Sequence, residues 1–92
     1  MSTKKKLVLI HGEFSPTEAK QILTNIFSSK IQFHELRNFS SMERLGKEDK
    51  LSIKRIPQLK KSLIQIEKAV EKSRKQNKRV KIESEISIYL ID

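Results

Sequence analysis

The sequence predicts an α/β fold, and three observations carry that prediction. An apolar run, Leu7–Ile10, leads directly into a helix start at Ser15-Pro16-Thr17-Glu18. A long amphipathic stretch occupies the third quarter of the chain, and a period-two alternation from Val80 closes it. With a further strand read between the two helices, the element order is β-α-β-α-β. This describes a small three-stranded domain with one long second helix.

The first strand rests on Leu7-Val8-Leu9-Ile10. Four consecutive apolar residues suit a strand covered on both faces. Ser15 then serves as an N-cap, Pro16 fits N1, and Glu18 at N3 completes a capping box. Phe14 at N′ and Ala19 at N4 are placed to form a hydrophobic staple. The first helix is expected from about Pro16 to Ser28, because Ala19, Ile22, Leu23, Ile26 and Phe27 make one apolar stripe.

Lys30–Leu36 reads as the second strand, with Ile31 and Phe33 on one face and His34 and Leu36 on the other. Asn38–Asp49 is polar, contains Gly46, and reads as a long connection in which Ser40–Glu43 caps a short helical turn. The second helix is expected from about Lys50 to Gln76. Its seam is Ile56, Leu59, Leu63, Ile66 and Val70, stepping by three and four. Pro57 interrupts this seam, so the helix either kinks there or begins its regular part there. Asn77 suits the C-terminal cap. Val80, Ile82, Ser84, Ile86, Ile88 and Leu90 then alternate with Lys81, Glu83, Glu85, Ser87, Tyr89 and Ile91, a strand with one apolar face.

Right-handed crossovers between parallel strands allow two arrangements. Strand order 2-1-3 places the first strand at the centre, where an apolar run belongs, and sets the helices on opposite faces. That is the expected order. The one-sided alternation of the last strand leaves an antiparallel arrangement open.

Ninety-two residues make a single domain, 1–92, whose residues 1–5 read as a flexible basic tail. A chain of this size buries somewhat over ~60% of its unfolded surface and gains much from association. There is no cysteine, which excludes disulfides and thiolate chemistry. No apolar run approaches the roughly 18 residues of a membrane span, and Leu7–Ile10 is too short for a signal-peptide core. A cytoplasmic location fits these features. Twenty basic residues against eleven acidic ones give a net charge of +9, which favours acidic partners.

Three kinds of site compete. A 2-1-3 sheet has a switch point at the end of its first strand, where open α/β sheets bind ligands. It would gather His11, Gly12 and Glu13 with Arg37 and Asn38, and Ser40 nearby. Against a phosphate site there, Ser15 and Glu18 already satisfy the helix amides, Glu13 and Glu18 repel anions, and a single glycine is no phosphate loop. His11 and Glu13 alone do not make a metal site, and no metal or cofactor is expected. The second kind is the basic stripe Lys54, Lys61, Lys68, Lys72 and Lys75, continued by Lys78 and Arg79. Between Lys68 and Lys81 there are seven basic residues and one acid, enough to attract phosphates. Without interleaved aromatics and with little arginine, such binding to nucleic acid would be non-specific. A face opposite a core must in any case be polar. The third kind is an association surface. Tyr89 and Ile91 lie on the outer face of the last strand, and Ile53 and Ile64 lie off the seam of the second helix. A helix roughly 40 Å long overhangs short strands and leaves an apolar seam that needs a partner. The leading expectation is a non-catalytic protein that associates as a homodimer, not an enzyme. Nucleic-acid binding comes second and a small-molecule or enzymatic site near His11 third.

Overall fold

The computed structural model describes residues 4–92, and its elements run β-α-α-β. Strand β1 covers Lys4–Phe14, helix α1 Pro16–Leu45, helix α2 Lys50–Lys75 and strand β2 Val80–Tyr89. The two strands form one antiparallel ribbon, and the helices form a hairpin inserted between them. The fold is α/β in content, but the described residues form two strands and not the expected three-stranded sheet of order 2-1-3.

The missing strand is Lys30–Leu36, which is helical within α1. From Thr17 to Leu45 there is no proline or glycine, so nothing breaks the helix that Pro16 starts. Ile31 and His34 are buried and Asn38 and Ser41 are half-buried, a three-four-three spacing that turns one side of α1 toward α2. Phe33 and Leu36, expected on strand faces, are left exposed. The connection expected over Asn38–Asp49 shrinks to a four-residue turn. Gly46 closes α1 in the left-handed region at φ 66°, and its N–H donates to the Met42 carbonyl over 3.0 Å.

Both helix starts follow the sequence. Ser15 Oγ accepts from the Glu18 N–H at 3.1 Å while Glu18 Oε1 accepts from the Ser15 N–H at 2.9 Å, a complete capping box. Asp49 caps α2 by accepting from the Ser52 N–H at 3.1 Å. Because α2 begins at Lys50, Pro57 lies inside the helix and not in its first turn. At the far end Gln76 is the C-cap, and Asn77 follows it with φ 54°. The Lys78 N–H reaches the Ser73 carbonyl and the Asn77 N–H the Arg74 carbonyl, the two bonds of a Schellman motif.

The seam of α2 packs as its spacing requires. Leu59 and Val70 are buried, and Ile56, Leu63 and Ile66 are half-buried. Near the base of the ribbon, Ala19, Val70 and Ile82 form a buried cluster with Ile10, Phe14, Leu23, Ile66 and Val80 packed against it. Lys4 and Lys5 belong to β1, paired with Tyr89 and Ile88, so the part of the expected flexible tail within the described residues is strand. Residues 1–3 lie outside the described residues.

Candidate functional site

The ribbon has two chemically distinct faces. Directly paired residues of an antiparallel ladder share a face. Lys5/Ile88, Leu7/Ile86, Ile10/Ser84, Gly12/Ile82 and Phe14/Val80 therefore line one side. Lys4/Tyr89, Lys6/Ser87, Val8/Glu85, His11/Glu83 and Glu13/Lys81 line the other. In β1 the apolar residues Leu7 and Ile10 are an odd number apart, which strict alternation would send to opposite faces. The register shift between Val8 and Ile10 leaves Leu9 as an extra, unpaired residue and restores both to one side. The bulge thus makes one continuous apolar face.

Only half of that face is covered. At the base, Ile10, Phe14, Val80 and Ile82 pack against the helices. Beyond the bulge, Leu7 is 50% exposed, Ile86 41% and Ile88 45%. This contradicts the expectation that the Leu7–Ile10 run is buried on both sides, because among the described residues no third strand flanks it and no helix reaches over it. Tyr89, Leu90 and Ile91 are also exposed, with Lys4 Nζ 5.4 Å from the Tyr89 ring. Of the expected interface residues, Ile53, Ile64, Tyr89 and Ile91 are all exposed. A second bare apolar region lies near the hairpin turn, where Phe39, Met42, Leu45 and Leu51 are exposed.

The expected ligand corner is not assembled. His11, Gly12 and Glu13 sit in β1 opposite Glu83, Ile82 and Lys81. Arg37 and Asn38 lie far along α1, roughly 30 Å from its start at 1.5 Å per residue. With Lys30–Leu36 helical and not a strand, nothing returns them to the end of β1. Glu13 instead engages Arg79, whose Nη2 donates to the Glu13 carbonyl at 3.2 Å and whose Nε lies 4.0 Å from its carboxylate.

Arg37 and Asn38 join a different cluster that the sequence reading missed. His34 Nδ1 lies 3.0 Å from Ser52 Oγ, and Ser52 Oγ donates to Asp49 Oδ2 at 2.6 Å. Asn38 Oδ1 accepts from the Asp49 N–H at 2.8 Å, and Arg37 Nε is 3.5 Å from Asp49 Oδ2. Because the serine proton goes to the carboxylate, the serine oxygen accepts from His34, which assigns a proton to Nδ1. Hydrogen bonds from the Ser52 hydroxyl and then its N–H hold the Asp49 carboxyl below its ordinary value. Arg37 and His34 add to this, and partial burial opposes it. A histidine, a serine and an aspartate in contact invite comparison with a hydrolase. The order is wrong for one, since Ser52 is fully buried and hydrogen-bonds the acid instead of giving its proton to the histidine. The cluster ties the two helices together at their turn. Its signal in the sequence is the helical spacing of Ile31, His34 and Asn38 across the stretch read as a strand.

The basic residues Lys54, Lys61, Lys68, Lys72, Lys75, Lys78 and Arg79 are all exposed. Lys68, Lys72 and Lys75 border a shallow depression on α2 together with Ile64, Glu67 and Glu71. Glu71 also pairs with Arg74 at 3.4 Å, so acids dilute the stripe. The described residues contain no group of three or more histidines and acids placed to hold a metal ion. No helix among them is long and apolar enough to cross a membrane. Comparison with protein-family models, with characterised proteins and with solved structures gave no match, so geometry alone carries the functional reading.

Proposed function

We propose that this chain acts by association, as a non-catalytic homodimer. The observation that carries the reading is the surface it leaves bare. The chain exposes 7670 Å², whereas the surface–mass relation for compact monomers gives about 5,500 Å² for its mass of 10.8 kDa. The excess, roughly 2,000 Å², is what one protomer of an obligate dimer buries. Its shape agrees: the radius of gyration is 16.7 Å, against about 12 Å for a compact chain of this length. Much of the bare surface is apolar, from Leu7 and Ile86 on the ribbon to Phe39 and Leu45 near the hairpin turn. Two-stranded ribbons are marginal in water without a further layer or strand, so a second copy supplies what the monomer lacks.

If folding and dimerisation are coupled, the thermal midpoint rises with protein concentration. Calorimetry over a hundredfold concentration range tests this. A midpoint that does not move with concentration counts against an obligate dimer.

A second reading, non-specific nucleic-acid binding, is favoured by the exposure of the α2 lysines. It predicts retention on duplex DNA that weakens with a log–log salt slope of about −0.9 per phosphate neutralised. Reversing Lys68 and Lys72 to Glu is expected to abolish it while folding survives. Equal binding by an unrelated protein of charge +9 would end this reading.

A further inference from the structure

The two edges of the ribbon are not equivalent, and the difference identifies where a second copy docks. The outer edge of β1 carries the devices that stop strands from pairing: the Leu9 bulge in its middle and three consecutive lysines, Lys4–Lys6, at its end. The outer edge of β2 has no bulge, and its charged residues, Lys81, Glu83 and Glu85, end at its middle. Val80–Tyr89 contains no proline, glycine or bulged residue, keeps a strict alternation, and among the described residues has no strand on its far side. A long, regular edge with one apolar face and a charge-free second half is a template for strand addition.

Resting on the homodimer reading above, we propose that β2 pairs antiparallel with β2 of a second copy, building a four-stranded sheet in the order β1-β2-β2-β1. A two-fold axis normal to the sheet keeps each face on its own side, so the apolar faces of both ribbons merge. Charge then selects the register. Centring the pair on Glu85 would oppose Glu85 to the partner's Glu85, and centring it on Ser84 would oppose Glu83 to the partner's Glu85. Like charges directly opposite are destabilising. Ile86 is the centre that gives the longest overlap with no glutamates opposed. It sets Ser84 against the partner's Ile88, Glu85 against the partner's Ser87 and Glu83 against the partner's Tyr89.

Two consequences of this register support it. Leu7 pairs with Ile86 within the ribbon, so a row of Leu7, Ile86, the partner's Ile86 and the partner's Leu7 runs across all four strands and sets side by side apolar residues that stand apart in one copy. On the other face, Lys6 pairs with Ser87 and Lys4 with Tyr89. Each lysine thereby shares a row with a glutamate of the other copy, Lys6 with the partner's Glu85 and Lys4 with the partner's Glu83, about 10 Å away at two strand spacings.

The described residues contain no cysteine, and neither does the rest of the sequence, so introduced ones report without background. Glu85→Cys and Ser87→Cys are made separately, both on exposed polar positions, with folding checked by circular dichroism. The two variants are co-refolded in equal amounts and oxidised mildly, and the mass of the native protein is measured by light scattering. In the proposed register residue 85 of one copy faces residue 87 of the other, at a separation close to that of a disulfide. The expected result is a covalent dimer containing one chain of each variant. It should form several-fold faster than with either variant alone and be absent from an Asn25→Cys control on α1. A particle of twice 10.8 kDa without this mixed cross-link would overturn the β2 interface and leave the homodimer standing. A particle of 10.8 kDa would overturn both.

Discussion

Ser52 is fully buried where the two helices are tied together at their turn. Its hydroxyl bridges His34 and Asp49, so Ser52→Ala leaves His34 Nδ1 without its partner and removes one hydrogen bond from the Asp49 carboxylate, which keeps the Ser52 N–H and Arg37. The expected loss is about 1–3 kcal/mol, read by urea denaturation. A change within about 0.5 kcal/mol would mean that the helices do not depend on this bridge. Asp49 and Glu18 set an acid dependence. Hydrogen bonds from Ser52 lower the Asp49 value, and hydrogen bonds with Ser15, the backbone first, lower that of Glu18. A carboxyl lowered by folding stabilises the native state above its unfolded value, near 3.8 for Asp and 4.5 for Glu, and that contribution is lost as pH falls through the folded value. Stability is therefore expected to fall below about pH 4.5, and less steeply in Asp49→Asn or Glu18→Gln. Unchanged acid titration in both variants would contradict this. Asn77 holds a left-handed conformation at φ 54° that closes α2. Asn77→Ala is expected to cost about 1 kcal/mol and Asn77→Gly to cost nothing.

At the scale of elements, Pro57 is the residue out of place. Inside α2 it removes one hydrogen bond and crowds the preceding turn, a cost of about 3 kcal/mol relative to alanine, offset by about 0.4–1 kcal/mol of unfolded-state entropy. Pro57→Ala is expected to stabilise by about 2 kcal/mol in a denaturant midpoint experiment. A loss of stability would mean that the proline is needed where it is. The elements also show what was legible in the sequence. The capping box at Ser15–Glu18, the start of α2 at Lys50, its seam and the last strand were all readable, because each is a local pattern with its own punctuation. Lys30–Leu36 was not, because a short run can satisfy both periods. Ile31 and Phe33 alternate as a strand would, while Ile31, His34 and Asn38 repeat as a helix does. The absence of any breaker from Thr17 to Leu45 decides for the helix. The apolar face of β2 was legible as alternation, but its uncovered half was not. That depends on how many strands exist, and the count was wrong by one. The His34–Ser52 bridge joins residues eighteen apart and becomes visible only once α1 is drawn to its full length.

At the scale of the molecule, charge and surface pull in opposite directions. In the proposed dimer each chain carries +9, which opposes pairing, and exposes apolar surface, which favours it. Salt screens the repulsion, with a Debye length of about 10 Å at 0.1 M, and leaves apolar burial intact. Raising salt from low to moderate concentration is thus expected to tighten the dimer, whereas binding of nucleic acid through the α2 lysines would weaken. Sedimentation equilibrium at several salt concentrations reads the first effect. A dimer that loosens steadily with salt would show that charge pairing, not the bare apolar face, holds it. The central claim, that this chain is half of a symmetric pair, is tested most directly by its mass in solution. Size-exclusion chromatography with light scattering at micromolar concentration is expected to return twice 10.8 kDa; a single species at 10.8 kDa would contradict the account.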